Sequence, residues 1–345
     1  MTRKTSPPLT TMAPTSPAAT PRPVPSLTDQ ASVSRRKFAA LASGLSLWAL
    51  AGCGTAGPQQ GQLDTVWGRA GTTPGRFNHP RAICIDDDDL LYIVDKTPRI
   101  QVFTTEGKLV HSWQTPDFEY GKPCGLSFDL DGNLLVADTH YYRILTYTKT
   151  GQLLEQKTIG GERGFTPGKF HFVTDCQQDR QGNFYIAEYG EFDRVQKFSP
   201  DRQFVVQWGG HGSDLGQFLR PQKMEFDRAG LLWITDACNH RLQIFDVSGD
   251  EPKLTKTWGE YGAAPGQISY PYDLHLVEDE GLVYLCEFGN HRVQKFTLAG
   301  EFLGGWGRNG RQPGELDQPW GITRDSLGRM YVIDTYNHRV QRFWL

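Results

Sequence analysis

The sequence has almost no charge imbalance: 36 lysines and arginines face 39 acids, a formal net charge of −3 over 345 residues. A chain this close to neutral has no basic field with which to hold nucleic acid. Long apolar runs are missing too. The most apolar stretch, residues 39–51, is too short to cross a bilayer comfortably. Cysteine is sparse, six in all, and Cys84, Cys124, Cys176, Cys238 and Cys286 show no CxxC, no CxxCH and no paired spacing. Their odd number leaves at least one thiol free, and buried small apolar residues are the expected role. No Ser-His-Asp order and no Gly-rich phosphate loop is found.

What is present is repetition. From Trp306 to Phe343 the chain reads WGRNGRQPGELDQPWGITRDSLGRMYVIDTYNHRVQRF, and this unit occurs six times. Six arginines (Arg99, Arg143, Arg194, Arg241, Arg292, Arg339) recur at intervals of 44, 51, 47, 51 and 47 residues. Each is preceded by an acid (Asp95, Asp138, Glu188, Asp236, Glu287, Asp334) and followed four residues later by an aromatic. Every unit holds four short runs rich in β-branched and aromatic residues, broken by Gly, Asp and Pro, as antiparallel hairpins require. Alternation at Val340-Gln341-Arg342-Phe343 has the period of a strand. Four strands per unit predict an all-β fold, a six-bladed β-propeller of four-stranded antiparallel blades.

At YNHRVQRF, FGNHRVQKF and ACNHRLQIF the chain resembles the NHL-repeat family. The resemblance spans residues 63–345 and implies the same propeller, used by many members to bind partners. Blades 4, 5 and 6 hold the full Asn-His-Arg pattern; blades 1, 2 and 3 keep the Arg alone. Leu345 follows a third strand directly, and Gln62–Gly68 reads like a fourth, so the N-terminal strand is expected to close the last blade beside the C-terminal one.

Ahead of the repeats, residues 1–33 are crowded with Pro, Ser and Thr and are expected to be disordered. Residues 34–53 begin with Ser34-Arg35-Arg36-Lys37-Phe38 and end in Leu50-Ala51-Gly52-Cys53. The first segment resembles a twin-arginine signal and the second a bacterial lipobox. The resemblance implies export by the twin-arginine machinery on Arg35 and Arg36. It also implies a lipid on Cys53 that holds the protein at the periplasmic side of a membrane. Residues 54–62 would then be a flexible linker.

Features present in all six units, such as the acid–arginine pair, are expected to brace hairpins, since catalytic groups do not usually come in six copies. His240, His291 and His338 are expected to stabilise the repeated turn. Acid-turn-Gly segments such as Asp129–Gly132 are read as tight turns, and the run Asp86 to Asp89 as solvated.

Positions that differ between units are more informative. Two residues after the Pro of each innermost strand lie Ala82, Gly125, Asp175, Lys223, Asp273 and Gly321; one residue earlier lie Arg81, Cys124, Thr174, Gln222, Tyr272 and Trp320. Arg81, Asp175, Lys223, Tyr272, Asp273 and Trp320 are the candidate ligand-binding set at the channel mouth. Their expected partner is a protein, peptide or glycan, and reversing Lys223 to Glu is expected to weaken binding without unfolding the ring.

The alternative is a metal-dependent enzyme. Six-bladed NHL enzymes of the peptidyl-α-hydroxyglycine amidating lyase type hold zinc on three histidines. The usable set here, His79, His171 and His275, is offset along the axis by about 16–20 Å. Zinc ligands must each lie within about 2 Å of one ion. Lactonase-like propellers use carboxylates and Asn; Asp175 and Asp273 could serve, but Lys223 between them repels a cation. No cofactor and no metal is expected.

Overall fold

The short alternating runs form strands, and the Gly- and Asp-bearing segments between them form the turns. The computed structural model describes residues 59–345. The expectations for residues 1–58, including Arg35, Arg36 and Cys53, lie outside the described residues.

Six antiparallel sheets follow one another in sequence order, each with its innermost strand first. The innermost strands are Ala82–Ile85, Gly125–Phe128, Phe172–Gln178, Pro221–Phe226, Pro271–Val277 and Gly321–Arg324 in blades 1 to 6. In blades 2, 3, 4 and 6 the turns between first and second strands close on an aspartate and a left-handed glycine. Asp129, for example, accepts the backbone N–H of Asp131 and Asn133 at 3.0 and 2.7 Å, with Gly132 at φ 76°. Asp86 uses the same geometry and is buried, its carboxylate also taking the Tyr92 hydroxyl at 3.1 Å. The expectation of a merely solvated run fails at this residue.

Each seam between blades has its own apolar cluster, so the core is a ring of six rather than one central mass. Between blades 6 and 1, for instance, Phe77, Ile83, Leu91 and Ile93 meet Tyr331, Ile333 and Val340. The five cysteines are free thiols; Cys124, Cys176 and Cys286 are fully buried.

Closure is as the repeat predicts. Strand Gln62–Trp67 pairs antiparallel with Arg339–Trp344, Leu63 opposite Phe343, and Arg342 binds Asp64 at 2.6 Å. One detail differs. The expected linker at 54–62 is ordered at its end, where Gln59–Gln60 pairs in parallel with the outer strand of blade 5, Phe302–Trp306. That strand would otherwise be a bare edge, and an approaching chain satisfies it.

The acid–arginine pair is a brace in all six blades. The distances are 2.9 Å for Asp95–Arg99, 2.9 Å for Asp138–Arg143, 2.5 Å for Glu188–Arg194, 2.8 Å for Asp236–Arg241, 3.1 Å for Glu287–Arg292 and 2.6 Å for Asp334–Arg339. In most blades the guanidinium also ties down the long loop before the innermost strand, as Arg339 does by donating to the carbonyls of Arg311, Gln312 and Glu315 at 2.8–2.9 Å. The motif histidines do more than stabilise their own turn. His240, His291 and His338 sit in the left-handed region, and their Nδ1 atoms accept the backbone N–H of Tyr270, Gln318 and His79 in the next blade at 3.1, 2.9 and 3.1 Å. Blade 3 lacks the histidine and uses Asp193, whose carboxylate takes the Arg220 N–H at 2.8 Å. These contacts latch neighbouring blades together on the face that carries the long loops.

Candidate binding site at the axial mouth

The innermost strand of a propeller blade has one hydrogen-bonding edge with no neighbouring strand, and here that edge faces a narrow axis. Buried N–H groups on it need acceptors. Blades 3 to 5 supply them from side chains. Asp175 of blade 3 takes the Met224 N–H at 2.9 Å, Glu225 of blade 4 takes the Leu276 N–H at 3.1 Å, and Asp273 of blade 5 takes the Ile322 N–H at 3.0 Å. The charged positions coincide with irregularities in the ladder, between Val173 and Asp175, Pro221 and Met224, and Pro271 and Asp273. An extra residue at a bulge re-aims its side chain. The innermost strands of blades 1, 2 and 6 pair without such shifts and carry small residues. Space explains the glycine at 125: a Cβ there would lie 2.1 Å from the Thr174 carbonyl oxygen.

Lys223 completes this inner set. Its ammonium donates to Asp175 Oδ1 at 3.1 Å and to the Leu126 carbonyl at 3.2 Å. Burial works against the ammonium, but Asp175 and Asp273 outweigh it, so the lysine is held charged. Burial lifts the Asp273 carboxyl to about 7, with Lys223 opposing, and the Glu225 carboxyl to about 8. At the far end of the axis His275 is pushed down to about 4 by burial and by the nearby Arg324 and Lys223.

Five of the six expected site residues, Arg81, Lys223, Tyr272, Asp273 and Trp320, line one axial cavity; Asp175 lies behind Lys223 and is wholly buried. The cavity has a volume of about 10 Å³, room for one water. The set therefore divides by depth. Asp175, Lys223 and Asp273 are engaged with one another or with the backbone, whereas Arg81, Tyr272 and Trp320 stand at the rim.

Three further residues of this cluster, Tyr189, Arg220 and Phe288, were not picked out from the sequence. Arg220 lies with its guanidinium carbon 4.6 Å from the Tyr189 ring centre, 5.1 Å from that of Tyr272 and 5.9 Å from that of Trp320. Phe288 stacks on Tyr272 at 4.4 Å. Arg81 approaches the other side of the cluster, 5.5 Å from Trp320. Arg220 directly precedes its strand's proline, two places before the first position compared between units, and that was the available signal.

The residues do not fit a metal of either implied kind. His79 packs on His338 with ring centres 4.3 Å apart, His171 takes the Arg163 guanidinium at 2.9 Å, and His275 faces Glu225 at 3.8 Å. They do not converge. Both Asp273 oxygens accept backbone N–H groups, and the Lys223 ammonium stands where a cation shared with Asp175 would be. Among the described residues no group of three or more His, Cys, Asp or Glu side chains is placed to hold a metal ion.

Residues 82–313 match the SMP-30/gluconolactonase/LRE-like region, well over half of the chain. The chain belongs to the SMP-30/gluconolactonase/LRE-like family. Residues 316–343 of this family member also match the NHL repeat. Among curated relatives, it is 30% identical over 233 residues to peptidyl-glycine alpha-amidating monooxygenase B of Xenopus laevis, covering 64% of this chain and 26% of that protein. The chain thus spans about a quarter of that relative's length. It is 24% identical over 260 residues to a probable peptidyl-alpha-hydroxyglycine alpha-amidating lyase of Caenorhabditis elegans, covering 69% of this chain and 70% of the relative. Among solved structures, an auxiliary nutrient binding protein of Bacteroides ovatus superposes with a TM-score of 0.60 at 16% identity, covering 77% of this chain and 69% of that one. That likeness establishes the shared fold alone.

Proposed function

We propose that this family member is an exported, membrane-tethered binding module that grips a protein, peptide or glycan partner with the loop face around the axial mouth. One observation carries the reading: exposed aromatics crowd that face. Phe118, Tyr120, Phe165, Tyr261, Tyr270 and Tyr336 are all exposed on the loops before the innermost strands or on the turns beside them. Monomeric proteins seldom expose so many large apolar side chains on one face, and aromatic and arginine side chains supply most of the energy in partner contacts. The buried charges below the rim hold the platform rigid. The name of the Bacteroides ovatus neighbour is in keeping with a binding role. Tethering rests on Arg35, Arg36 and the Leu50–Cys53 segment of the sequence.

The test places a photo-crosslinking amino acid at Tyr261, which is 66% exposed on the loop face, and at Leu130, which is 61% exposed on a turn of the opposite face. With the full chain in envelope preparations, Tyr261 is expected to give discrete adducts and Leu130 none. Equal labelling at both, or none at Tyr261, refutes the reading. Cys53→Ser is expected to move the protein from the membrane to the soluble fraction. The lyase and lactonase readings have relatives in their favour. Elemental analysis that found about one equivalent of zinc or calcium surviving purification and lost to a chelator would revive them.

A further inference from the structure

Two guanidinium groups at the mouth have no counter-ion. Among the described residues neither Arg81 nor Arg220 has a carboxylate within 4.0 Å, whereas the repeat arginine of every blade is paired with its acid. The acid beside them, Asp193, is spent on the Arg220 backbone N–H and the His211 ring at 2.8 and 2.5 Å. Both guanidiniums instead lie within 6 Å of the Trp320 ring centre.

Stacking does not use up a guanidinium. A cation over a ring presents its face, while its five N–H donors point outward in its own plane. Of these donors Arg220 uses only Nε–H, on Gln222 Oε1 at 3.0 Å. Arg81 uses none among the described residues, and its Nε is buried without an acceptor, as is the indole Nε1 of Trp320. Unmet buried donors beside two like charges make the mouth a place where a negative, acceptor-rich group is missing. Lys96 adds a third cation: Arg81 and Lys96 both depress the His79 imidazole, after burial and His338. The axis beneath is nearly closed, so only a group of a few atoms can sit between the arginines. An aromatic floor lies beside that spot, with Tyr272 and Phe288 stacked and Trp320 edge-on to them at 67° and 86°.

We propose that Arg81 and Arg220 clamp a carboxylate of the bound partner over Trp320, with an apolar neighbour of that carboxylate resting against the aromatic floor. This rests on the reading that the loop face is the binding face, and it names the chemistry taken there. Arg81 and Trp320 belong to the set singled out from sequence; Arg220 is new.

The test uses the full chain in a non-ionic detergent, with sodium benzoate as probe, benzamide as its neutral match in shape, and sodium phosphate as an anion of another class. The indole N–H resonance of Trp320, identified by its loss in Trp320→Phe, is expected to move saturably with benzoate. Benzamide is expected to be at least tenfold weaker, and Arg81→Gln and Arg220→Gln each to weaken benzoate at least tenfold. The proposal is overturned if benzamide binds as well as benzoate, if no saturable shift occurs, or if phosphate acts at lower concentration. The two ligands are compared on the unaltered protein, so a variant that fails to fold does not void the result. Crosslinking at Tyr261 needs no carboxylate, so its outcome separates failure of this proposal from failure of the binding face.

Discussion

Replacing Lys223 by Met removes the single ammonium from a group of buried acids and tests what holds the centre of the ring. Lys223 and Asp175 are 3.1 Å apart, with side chains 17% and 1% exposed, so water screens the pair little. Breaking a buried pair by deleting one partner costs about 3–5 kcal/mol, because the other charge is left uncompensated. Asp175 can escape part of this by taking up a proton, which places the loss at the lower end and makes it depend on pH. For a domain of this size 1 kcal/mol corresponds to about 2 °C, so calorimetry at pH 7 should show a fall of about 6 °C or more. The gap should narrow at pH 5, where the orphaned carboxyl is protonated at less cost. The double variant Lys223→Met/Asp175→Asn keeps an acceptor for the Met224 N–H without the charge, and should recover at least about 1 kcal/mol. Lys223→Glu adds a further acid and should be worse than Met. A Met variant within about 1 kcal/mol of the parent, or strictly additive double-variant losses, would refute this account of the axis.

Stability should fall as pH rises from about 4 to about 8, the span between the unfolded and folded pKa values of two axial carboxyls. Asp273 and Glu225 have raised folded-state pKa values, about 7 and 8, so what they contribute is complete below their unfolded values and is lost as pH climbs through 7 and 8. His275 is depressed to about 4, so its contribution is complete above about 6.5 and fades as pH falls toward 4. Asp273→Asn and Glu225→Gln should each flatten that fall in a melting-temperature profile, whereas His275→Phe should steepen it between about pH 4 and 6.5; unchanged profiles would contradict the assignment. His291→Ala removes the acceptor for the Gln318 N–H and should cost about 1–2 kcal/mol in urea unfolding. His291→Asp, which copies Asp193, should cost less than half of that. A chain starting at residue 59 should give a soluble ring, whereas one starting at residue 68 lacks the closing strand and should aggregate, as light scattering would show.

The blade count and the closing strand were legible because both follow from local spacing. An acid and an arginine flanking one turn can do little except meet, and six copies in register leave one architecture. The roles of Asp175, Lys223 and Asp273 along the axis were not legible in the same way. Whether a carboxylate there meets a ligand or the next blade's backbone depends on a one-residue bulge, and nothing in the spacing from proline announces it. The histidine latches were half legible. Repetition at His240, His291 and His338 marked the turn, but the atom each one serves lies in the following blade, beyond any local pattern. Arg220 escaped notice because it stands alone: no other unit has arginine immediately before the proline position, and comparison between copies is blind to a residue outside the compared columns.

The salt bridge between Asp64 and Arg342 joins residues 278 apart in the chain. Seen from the ribosome, the strand that seals the ring is made first and its partner last. Blades 1 to 5 can form hairpin by hairpin as they emerge, but the Gln62–Trp67 strand has to wait with an open edge through nearly all of synthesis. Contacts of such separation carry the largest loop-closure entropy and form late. The seam is therefore where folding ends and, by the same reasoning, where unfolding is set to begin. This one junction therefore reports that the fold is complete, since a ring short of its final strand cannot close at all.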